Sequence, residues 1–456
     1  MARLERDLAA MERYRPAYRF WRHIFAVPDG AIAFGNAADG RLVATFPIKA
    51  DWARDGIWED ASVAPLLANQ RLPDDLWQRR EVVAQLLEPS FGPVVHNPTR
   101  GLFVLPNLPR YAAYLNEWGA IYERFGVPAE IGLAQALVES GFNGTVRSEA
   151  RAIGFCQWLL GNWNRMKRLA PHVIEGHNQT TQAPYCAAYL SILATKYGSF
   201  IPALSEHHTG GANVGRTLVN GERLGGADVR ERYFFGAEFA RDLRAASPGG
   251  FSDLYGTYGP RSFLYAEMVF GNVPTIQHLM ATIPQSKIFA MRTTRAVALT
   301  DINRRTGVSV EDIRRFNPAL LSRVPARANV YLPRHVPALG RDVAFWHRPA
   351  SAAYSSVLRE FVALETSIEQ WDSPSFDTVL RDFRKRFEAA ATEEGAVMAT
   401  TLAYVLEDRR SNRQAEIVAQ FRSSERILQL FEQARAEREA SRASREATVL
   451  LDGPMN

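Results

Sequence analysis

The stretch VPAEIGLAQALVESGF, residues 127–142, decides the fold because its pattern predicts one buried helix that ends on a carboxylate. Pro128 suits the first turn of a helix, where its missing N–H leaves no hydrogen bond unmade. Apart from Gln135, the run IGLAQALV has only apolar side chains and glycine, as expected of a central core helix. Gly141 can supply a left-handed end, and Phe142 follows it in the position of the usual apolar contact.

Glu139 falls in the last turn of this predicted helix. Burial disfavours the charged form of its side chain, and so does the negative end of the helix dipole. Both effects favour a protonated side chain that can act as a general acid near neutral pH. A solvated glutamate at a helix end fits this stretch equally well, so the stretch alone leaves both interpretations open.

The composition is that of a globular protein with several domains. The chain has 456 residues, of which 46% are hydrophobic and 23% charged, and this length predicts two to four domains. Its net charge of +5 permits binding to an anionic surface such as a bacterial cell wall. The sequence has no dense cluster of lysine and arginine, which argues against a nucleic-acid-binding function.

The first residues and the cysteines leave the cellular compartment open. The beginning, MARLERDLAAMERYRP, lacks the uninterrupted apolar core of a secretory signal, and no run is long enough to span a membrane. The protein is therefore cytoplasmic, or its export signal was removed before residue 1, or its export is unconventional. Cys156 and Cys186 can form one bridge in an oxidising compartment, or they can remain two buried thiols.

The N-terminal region, residues 1–105, has a mixed α/β pattern without a catalytic constellation. Two β-prone runs at 31–34 and 41–46 predict a hairpin around Asn36 and Asp39-Gly40, and residues 76–87 predict a helix. Five prolines between residues 89 and 109 then predict an extended linker or a wall segment.

The rest of the chain predicts a mainly α, multidomain fold. Apolar residues recur at helical steps from Tyr111 onward, and residues 106–285 form one predicted helical domain. Residues 286–335 have the order βααβ and form a small separate module. Residues 345–450 are helical again, and a protein partner for these C-terminal helices is one interpretation.

Four motifs resemble the soluble lytic transglycosylase domain: ALVESGFN at 136–143, GFCQW at 154–158, YLSIL at 189–193 and ALSEHHTGGANVGR at 203–216. The family pattern is a helix ending in Glu-Ser-Gly-Phe, then Gly-hydrophobic-x-Gln, then a helix with Tyr-Leu, then Ala-Tyr-Asn-Ala-Gly. The order and spacing of the motifs also match. The resemblance covers residues 111–275 and implies a lysozyme-like α-helical catalytic domain.

A tyrosine further along the chain completes the site in this family. Tyr265 in RSFLY is the preferred candidate here, and Tyr233 in ERYFF is the second. The sequence departs from the family at HHTGG, where His207 and His208 replace its tyrosine and asparagine. Adjacent residues on a helix point in different directions, so we expect one histidine at most to face the cleft.

His208, in the position of the family asparagine, has two interpretations. It can donate a hydrogen bond to the substrate, although once charged it would oppose proton donation by Glu139. Alternatively, it is a neutral group that holds the glycine-rich turn in place.

The βααβ module, with GVSVEDIRRFNPALL and VYLP, resembles a LysM peptidoglycan-binding domain. A transglycosylase domain followed by LysM is the arrangement of relatives of membrane-bound lytic transglycosylase D. Together, the two resemblances imply a protein of the periplasm or cell envelope whose partners are peptidoglycan glycan strands.

The activity that the resemblance implies is cleavage of the β-1,4 bond between N-acetylmuramic acid and N-acetylglucosamine. Glu139 would protonate the glycosidic oxygen and then, as a base, help the muramic acid O6 hydroxyl attack C1, which leaves a 1,6-anhydro end. One carboxyl group is enough, because the internal hydroxyl replaces the water that a hydrolase activates. No cofactor is implied.

The residues expected to surround Glu139 follow from the same resemblance. Ser140 would orient Glu139, and Gln157 can offer both a donor and an acceptor to the N-acetyl group or sugar hydroxyls. The implied substrate-binding residues are Ser140, Gln157, His207, His208 and Tyr265.

Two other functions stay open. If Glu206 faced the cleft at about 6.5 to 9.5 Å from Glu139, it could activate water, and the enzyme would be an inverting lysozyme-like hydrolase; we expect instead a solvated Glu206. The domain could also be a catalytically weak wall-binding scaffold whose site the two histidines have degraded. A metal site is not expected, since no third potential ligand lies near the two histidines at a sequence spacing typical of metal-binding motifs.

Overall fold

The computed structural model describes residues 2–170, 176–256, 262–336, 339–342, 348–366 and 368–451. These residues are mainly helical with a few small sheets, so the predicted mainly α class is confirmed. Their buried apolar side chains form three separate clusters, as expected of a chain with more than one domain. In the described part of the chain, no helix combines the length and the apolar character needed to cross a membrane.

The chain begins with two helices, α1 (Ala2–Tyr14) and α2 (Trp21–Ala26), which a 3-10 helix at Pro16–Phe20 separates. The next elements are β1 (Ala31–Asn36), β2 (Leu42–Pro47), α3 (Trp52–Asp55), β3 (Ile57–Trp58), α4 (Val63–Leu67), α5 (Leu76–Phe91) and β4 (Val94–Pro98). The four strands form an antiparallel sheet in the order β3-β2-β1-β4. The predicted hairpin is confirmed, because β1 pairs with β2 with Ile32 opposite Phe46.

The predicted extended linker at residues 89–109 is wrong over most of its length. Pro89 lies inside α5, which continues to Phe91, and β4 follows as a paired strand of the sheet. A proline in a helix removes one backbone hydrogen bond. Here the complete burial of Val83 and Leu87 on the same helix offsets that loss.

The central helix is confirmed as the sequence predicts it. After α6 (Leu108–Tyr111) and α7 (Leu115–Arg124), helix α8 (Ala129–Ser140) begins directly after Pro128. Gly141 ends it with a φ of 55°, and the Gly141 N–H donates to the Leu137 carbonyl at 2.9 Å. Gly132 lets α7 approach closely, because a Cβ there would lie 2.1 Å from the Tyr122 ring.

Helices surround α8 in the predicted catalytic region. A two-stranded hairpin of β5 (Ala152–Ile153) and β6 (Trp158–Leu159) comes first. The helices that follow are α9 (Leu160–Leu169), α10 (Gln179–Tyr197), α11 (Phe200–Thr209), α12 (Gly211–Arg223), α13 (Val229–Ala246), α14 (Pro248–Tyr255) and α15 (Tyr265–Thr282). Helices α7 and α15 pack directly against α8, so the end of α8 is held from two sides.

The small module contains the predicted βααβ elements together with three short strands that were not predicted. Its elements are β7 (Phe289–Thr293), β8 (Val297–Ala298), α16 (Leu299–Thr306), α17 (Val310–Phe316), β9 (Arg323–Val324), β10 (Asn329–Leu332) and β11 (Gly340–Asp342). The predicted elements are β7, α16, α17 and β10, and the additional strands are β8, β9 and β11. Strands β7 and β10 pair antiparallel, and β11 adds to the other edge of β7. The module has its own apolar core, and the Tyr331 hydroxyl accepts from the Thr181 hydroxyl of α10 at 3.0 Å.

The C-terminal region is helical, as predicted, although its predicted first residue, 345, lies outside the described residues. Its helices are α18 (Ala352–Val362), α19 (Ile368–Trp371), α20 (Pro374–Ala389), α21 (Glu393–Ser411), α22 (Gln414–Ser423) and α23 (Glu425–Leu451). Their buried apolar side chains belong to the same cluster as those of α7 to α15. The predicted boundaries between domains stay predictions.

Candidate active site

A cleft of about 640 Å³ lies at the carboxyl end of α8. Glu139 lines this cleft together with residues of the β5–β6 hairpin and of helices α9, α10, α11 and α21. Among the predicted site residues, the cleft lining includes Glu139, Gln157, His207 and His208. The motifs at 136–143, 154–158, 189–193 and 203–216 therefore each contribute a residue to one cleft.

Two side chains hold the Glu139 carboxyl group through the same oxygen, Oε1. The Tyr265 hydroxyl donates a short hydrogen bond to it, and His207 Nε2 lies 3.4 Å from it. Burial raises the pKa of Tyr265 well above its ordinary value, and the nearby Glu139 raises it further. Tyr265 is therefore a neutral phenol that donates to Glu139 at any physiological pH.

Tyr265 reaches Glu139 from the buried side of the site. It opens α15, its side chain is buried, and its ring stacks on His208 with the centroids 4.6 Å apart and the planes 2° apart. Tyr233, the second candidate from the sequence, is buried in α13 and is not part of the cleft lining. The structure therefore places Tyr265, and not Tyr233, against the carboxyl group.

The expectation that one histidine at most faces the cleft is wrong, because His207 and His208 both line it at the end of α11. His207 Nε2 also lies 3.0 Å from the backbone oxygen of Cys156. A carbonyl oxygen can only accept, so this nitrogen carries the hydrogen and donates it to Cys156, while Glu139 Oε1 lies 3.4 Å from the same nitrogen. Of the two histidines, His207 is the one that lies within 4 Å of the Glu139 carboxyl group.

His208 contacts Tyr265 and carries no charge at neutral pH. Burial lowers the pKa of His208 below its ordinary value of 6.5; the Glu139 carboxylate opposes this shift, and His207 adds to it. A neutral ring does not repel the proton of Glu139 as a charged imidazolium would. The stacking of His208 on Tyr265 is the contact expected of a residue that maintains the geometry of the site.

Gln157 lines the cleft at the tip of the hairpin, where it adopts a positive φ of 50°. Its side-chain amide donates to the Val146 oxygen at 3.1 Å and to the Gly154 oxygen at 3.0 Å. Both amide hydrogens are thus used within the loop, so a contact with a ligand would fall to the carbonyl oxygen. The sequence prediction that Gln157 offers both a donor and an acceptor is too broad.

Ser140 is fully buried and is not part of the cleft lining, contrary to its prediction as a substrate-binding residue. Its hydroxyl lies 3.0 Å from the Ala136 oxygen and 2.9 Å from the Phe155 oxygen, so it contacts neither the cleft nor the Glu139 carboxyl group. The position follows from geometry, because consecutive residues on a helix point in different directions. Ser140 thus ties the end of α8 to the loop that carries Gln157.

Cys156 and Cys186 form a disulfide between the hairpin loop and α10. Of the two possibilities that the sequence left open, two buried thiols are therefore ruled out. The bridge fixes the backbone of Cys156, whose oxygen accepts from His207, directly beside Gln157. One covalent link thus restrains two residues of the cleft.

Glu206 is buried, not solvated as expected from the sequence. Lys196 Nζ lies 2.6 Å from Glu206 Oε2, and the Tyr197 hydroxyl donates to the same oxygen. Burial lowers the pKa of Lys196 to about 8, and the Glu206 carboxylate partly offsets this shift. Glu206 borders the cleft, but its charge is already paired inside the protein.

The sequence analysis missed a set of cleft residues outside the recognised motifs. They are Asn162, Arg165, Tyr404, Asp408 and Asn412. The last three recur every four residues and so share one face of a helix, which is readable in the sequence. What that face contacts depends on how α21 packs on α9 and α10, and no local pattern reports this.

No group of three or more histidine, cysteine, aspartate or glutamate side chains is arranged to hold a metal ion in the described ranges. No protein-family model and no curated protein sequence matches this chain.

Proposed function

We propose that this protein is a peptidoglycan lytic transglycosylase that uses Glu139 as its only catalytic carboxyl group. The observation that carries the proposal is the pair of contacts on Glu139 Oε1, from Tyr265 and His207, at the edge of a large cleft. An intramolecular transglycosylation needs one restrained carboxyl group that faces the substrate, and Glu139 meets this requirement.

In the proposed reaction, Glu139 acts first as an acid and then as a base. Its protonated carboxyl group gives a proton to the glycosidic oxygen between N-acetylmuramic acid and N-acetylglucosamine while the bond from C1 to that oxygen breaks. The resulting carboxylate then takes the proton of the muramic acid O6 hydroxyl as O6 bonds to C1. Glu139 ends protonated, and the products are a 1,6-anhydro end and a free N-acetylglucosamine hydroxyl.

Tyr265 and His207 act on this reaction as positioning residues. Both bind Oε1, so they fix the plane of the carboxyl group while the proton moves. The Gln157 carbonyl oxygen, at the tip of the restrained hairpin, is the group available to accept from the substrate's acetamido N–H or a hydroxyl.

The fold supports the same proposal at a coarser level. A buried central helix that ends at the cleft, with a hairpin beside it, fits the lysozyme-like domain that the sequence resembles. The βααβ module fits the LysM resemblance. A disulfide is most stable in an oxidising compartment, which agrees with the proposed location in the periplasm or cell envelope.

The hydrolase alternative has less support than the transglycosylase. An inverting hydrolase needs a second carboxylate that accepts a proton from water. Glu206, the residue suggested for this role, has one oxygen bound by both Lys196 and Tyr197. The scaffold alternative would be favoured by a disrupted site, whereas Glu139 retains two polar partners.

The test is digestion of purified sacculi followed by mass spectrometry of the soluble products. We expect 1,6-anhydro muropeptides from the wild type and none from Glu139→Gln, which cannot donate the proton. Glu130→Gln, at the opposite end of α8, makes the same charge change and should retain activity. Reducing ends in place of anhydro ends would support a hydrolase, and anhydro products from Glu139→Gln would refute the proposal.

A further inference from the structure

Helix α21 of the C-terminal region presents a polar and aromatic stripe to the cleft that contains Glu139. Tyr404 and Asp408 of α21 and Asn412, the residue directly after this helix, are spaced by four residues, and all three line this cleft. Residues at this spacing lie on one face of a helix. Such a face normally packs into a core with apolar side chains, so polar groups here indicate a face turned toward a ligand or water.

Tyr404 joins an aromatic cluster that reaches the catalytic carboxyl group. Its ring centroid lies 5.3 Å from that of Trp158 and 6.0 Å from that of Tyr189. The Tyr189 ring is in turn 6.0 Å from His207, which contacts Glu139. A residue of α21 is thus connected to Glu139 through side chains that all line the cleft.

Asp408 and Arg165 add charged groups to the same wall. Arg165 Nη1, on α9, lies 3.1 Å from Asp408 Oδ1, and the Arg165 guanidinium sits over the Tyr404 ring at 5.6 Å. The side chains of both charged residues remain about a quarter exposed. Both side chains are therefore accessible to a ligand in the cleft.

We propose that α21 is a saccharide-binding wall of the cleft, in which Asp408 and its partner Arg165 contact the bound glycan strand and the buried Tyr404 ring holds Arg165 in place. The inference rests on the proposed function and deepens it, because it assigns the C-terminal region to substrate binding and not to docking of a protein partner. A carboxylate accepts from sugar hydroxyls, and a guanidinium donates to sugar oxygens, in charge-assisted hydrogen bonds. These residues determine how tightly the strand is bound.

The test measures binding of the β-1,4-linked tetramer of N-acetylglucosamine to full-length Glu139→Gln protein by isothermal titration calorimetry. On this background, we expect Asp408→Asn and Tyr404→Leu each to weaken binding about tenfold, the loss of one good contact, which Asp408 makes in the first case and Arg165 in the second. Glu407→Gln is the matched control: it makes the same charge change as Asp408→Asn on the same helix but does not line the cleft, so binding should stay within about twofold.

A structural effect is separated from a binding effect by measuring Tm for every variant. Asp408→Asn keeps the side-chain shape at a position that is about a quarter exposed, so it carries the test even if Tyr404→Leu lowers Tm. Unchanged tetramer binding in Asp408→Asn would overturn the inference. Faster digestion of sacculi by Tyr404→Leu would also overturn it, because α21 would then block the cleft instead of binding the substrate. Absence of tetramer binding by the Glu139→Gln protein would also overturn the inference. Whether the wild type releases anhydro or reducing ends tests only the proposed function.

Discussion

At the scale of single residues, the Tyr265 hydroxyl is the contact whose removal tests how Glu139 is positioned. Tyr265→Phe removes the donor to Glu139 Oε1 and keeps the ring that stacks on His208. A hydrogen bond to a charged group contributes about 1.5 to 3 kcal/mol, so we expect kcat on sacculi to fall about ten- to hundredfold. The measurement is the initial rate of anhydro-muropeptide release.

Tyr354→Phe is the control for this substitution, because the Tyr354 hydroxyl also makes a buried hydrogen bond, to the Arg124 oxygen at 2.8 Å, away from the cleft. The two variants should lose similar amounts of stability, and only Tyr265→Phe should lose rate. Equal rates in the two variants would show that the hydroxyl of Tyr265 does not position Glu139.

The sequence predicted where Glu139 lies but not what surrounds it. Its place in the last turn of α8 follows from local signals, namely Pro128 at the start and Gly141 at the end. Tyr265 is 126 residues away, and only the family resemblance singled it out. The expectation that one histidine at most faces the cleft and the assignment of Ser140 to substrate binding were wrong, because side-chain direction depends on how α11 and α8 pack and a spacing rule does not report this.

At the scale of elements, the disulfide between the hairpin loop and α10 should set the stability of the cleft wall. Cys156 and Cys186 are 30 residues apart, and closing a loop of this length stabilises the folded state by about 3 to 4 kcal/mol in the chain-entropy treatment. We expect Cys156→Ala to lower the free energy of unfolding by about this amount. Urea denaturation measures the change.

Cys186→Ala and the double variant provide the control, because all three break the same bridge. Their losses should be similar and not additive. A much larger loss for Cys156→Ala alone would assign the effect to packing at position 156, where the side chain is fully buried, and not to the covalent link.

The elements show which parts of the fold are readable from a local pattern. Helix α8, the β1–β2 hairpin and the two helices of the βααβ module were predicted because caps, turns and periodicity are local. The prediction for residues 89–109 was wrong, because a proline ends a helix only when side-chain packing does not compensate for the lost backbone hydrogen bond. Helix α21 lies in the region predicted to be helical, but its contact with the cleft is tertiary.

At the scale of the whole molecule, ion pairs connect the ends of the chain to its middle. Arg438 of α23 pairs with Asp242 of α13 at 2.7 Å, and Arg422 of α22 pairs with Glu222 of α12 at 2.9 Å. The chain lengths that separate these partners explain why no sequence pattern indicated them. The C-terminal helices α22 and α23 therefore pack onto α12 and α13.

The whole-molecule prediction concerns Asp7, because this fully buried carboxylate of α1 holds the start of α11. It lies 2.6 Å from Arg230 Nε and accepts from the Ser199 hydroxyl and the Phe200 N–H, each at 2.7 Å.

Asp7→Asn leaves the Arg230 guanidinium buried without its counter-charge, so we expect a loss of about 3 to 5 kcal/mol in unfolding free energy. Glu5→Gln, at an exposed position of α1, should change it by no more than about 0.5 kcal/mol. Helix α11 carries His207 and His208 in its last turn, so Asp7→Asn should also lower activity at temperatures near its reduced Tm. An unfolding midpoint equal to that of Glu5→Gln would show that α1 does not support the site.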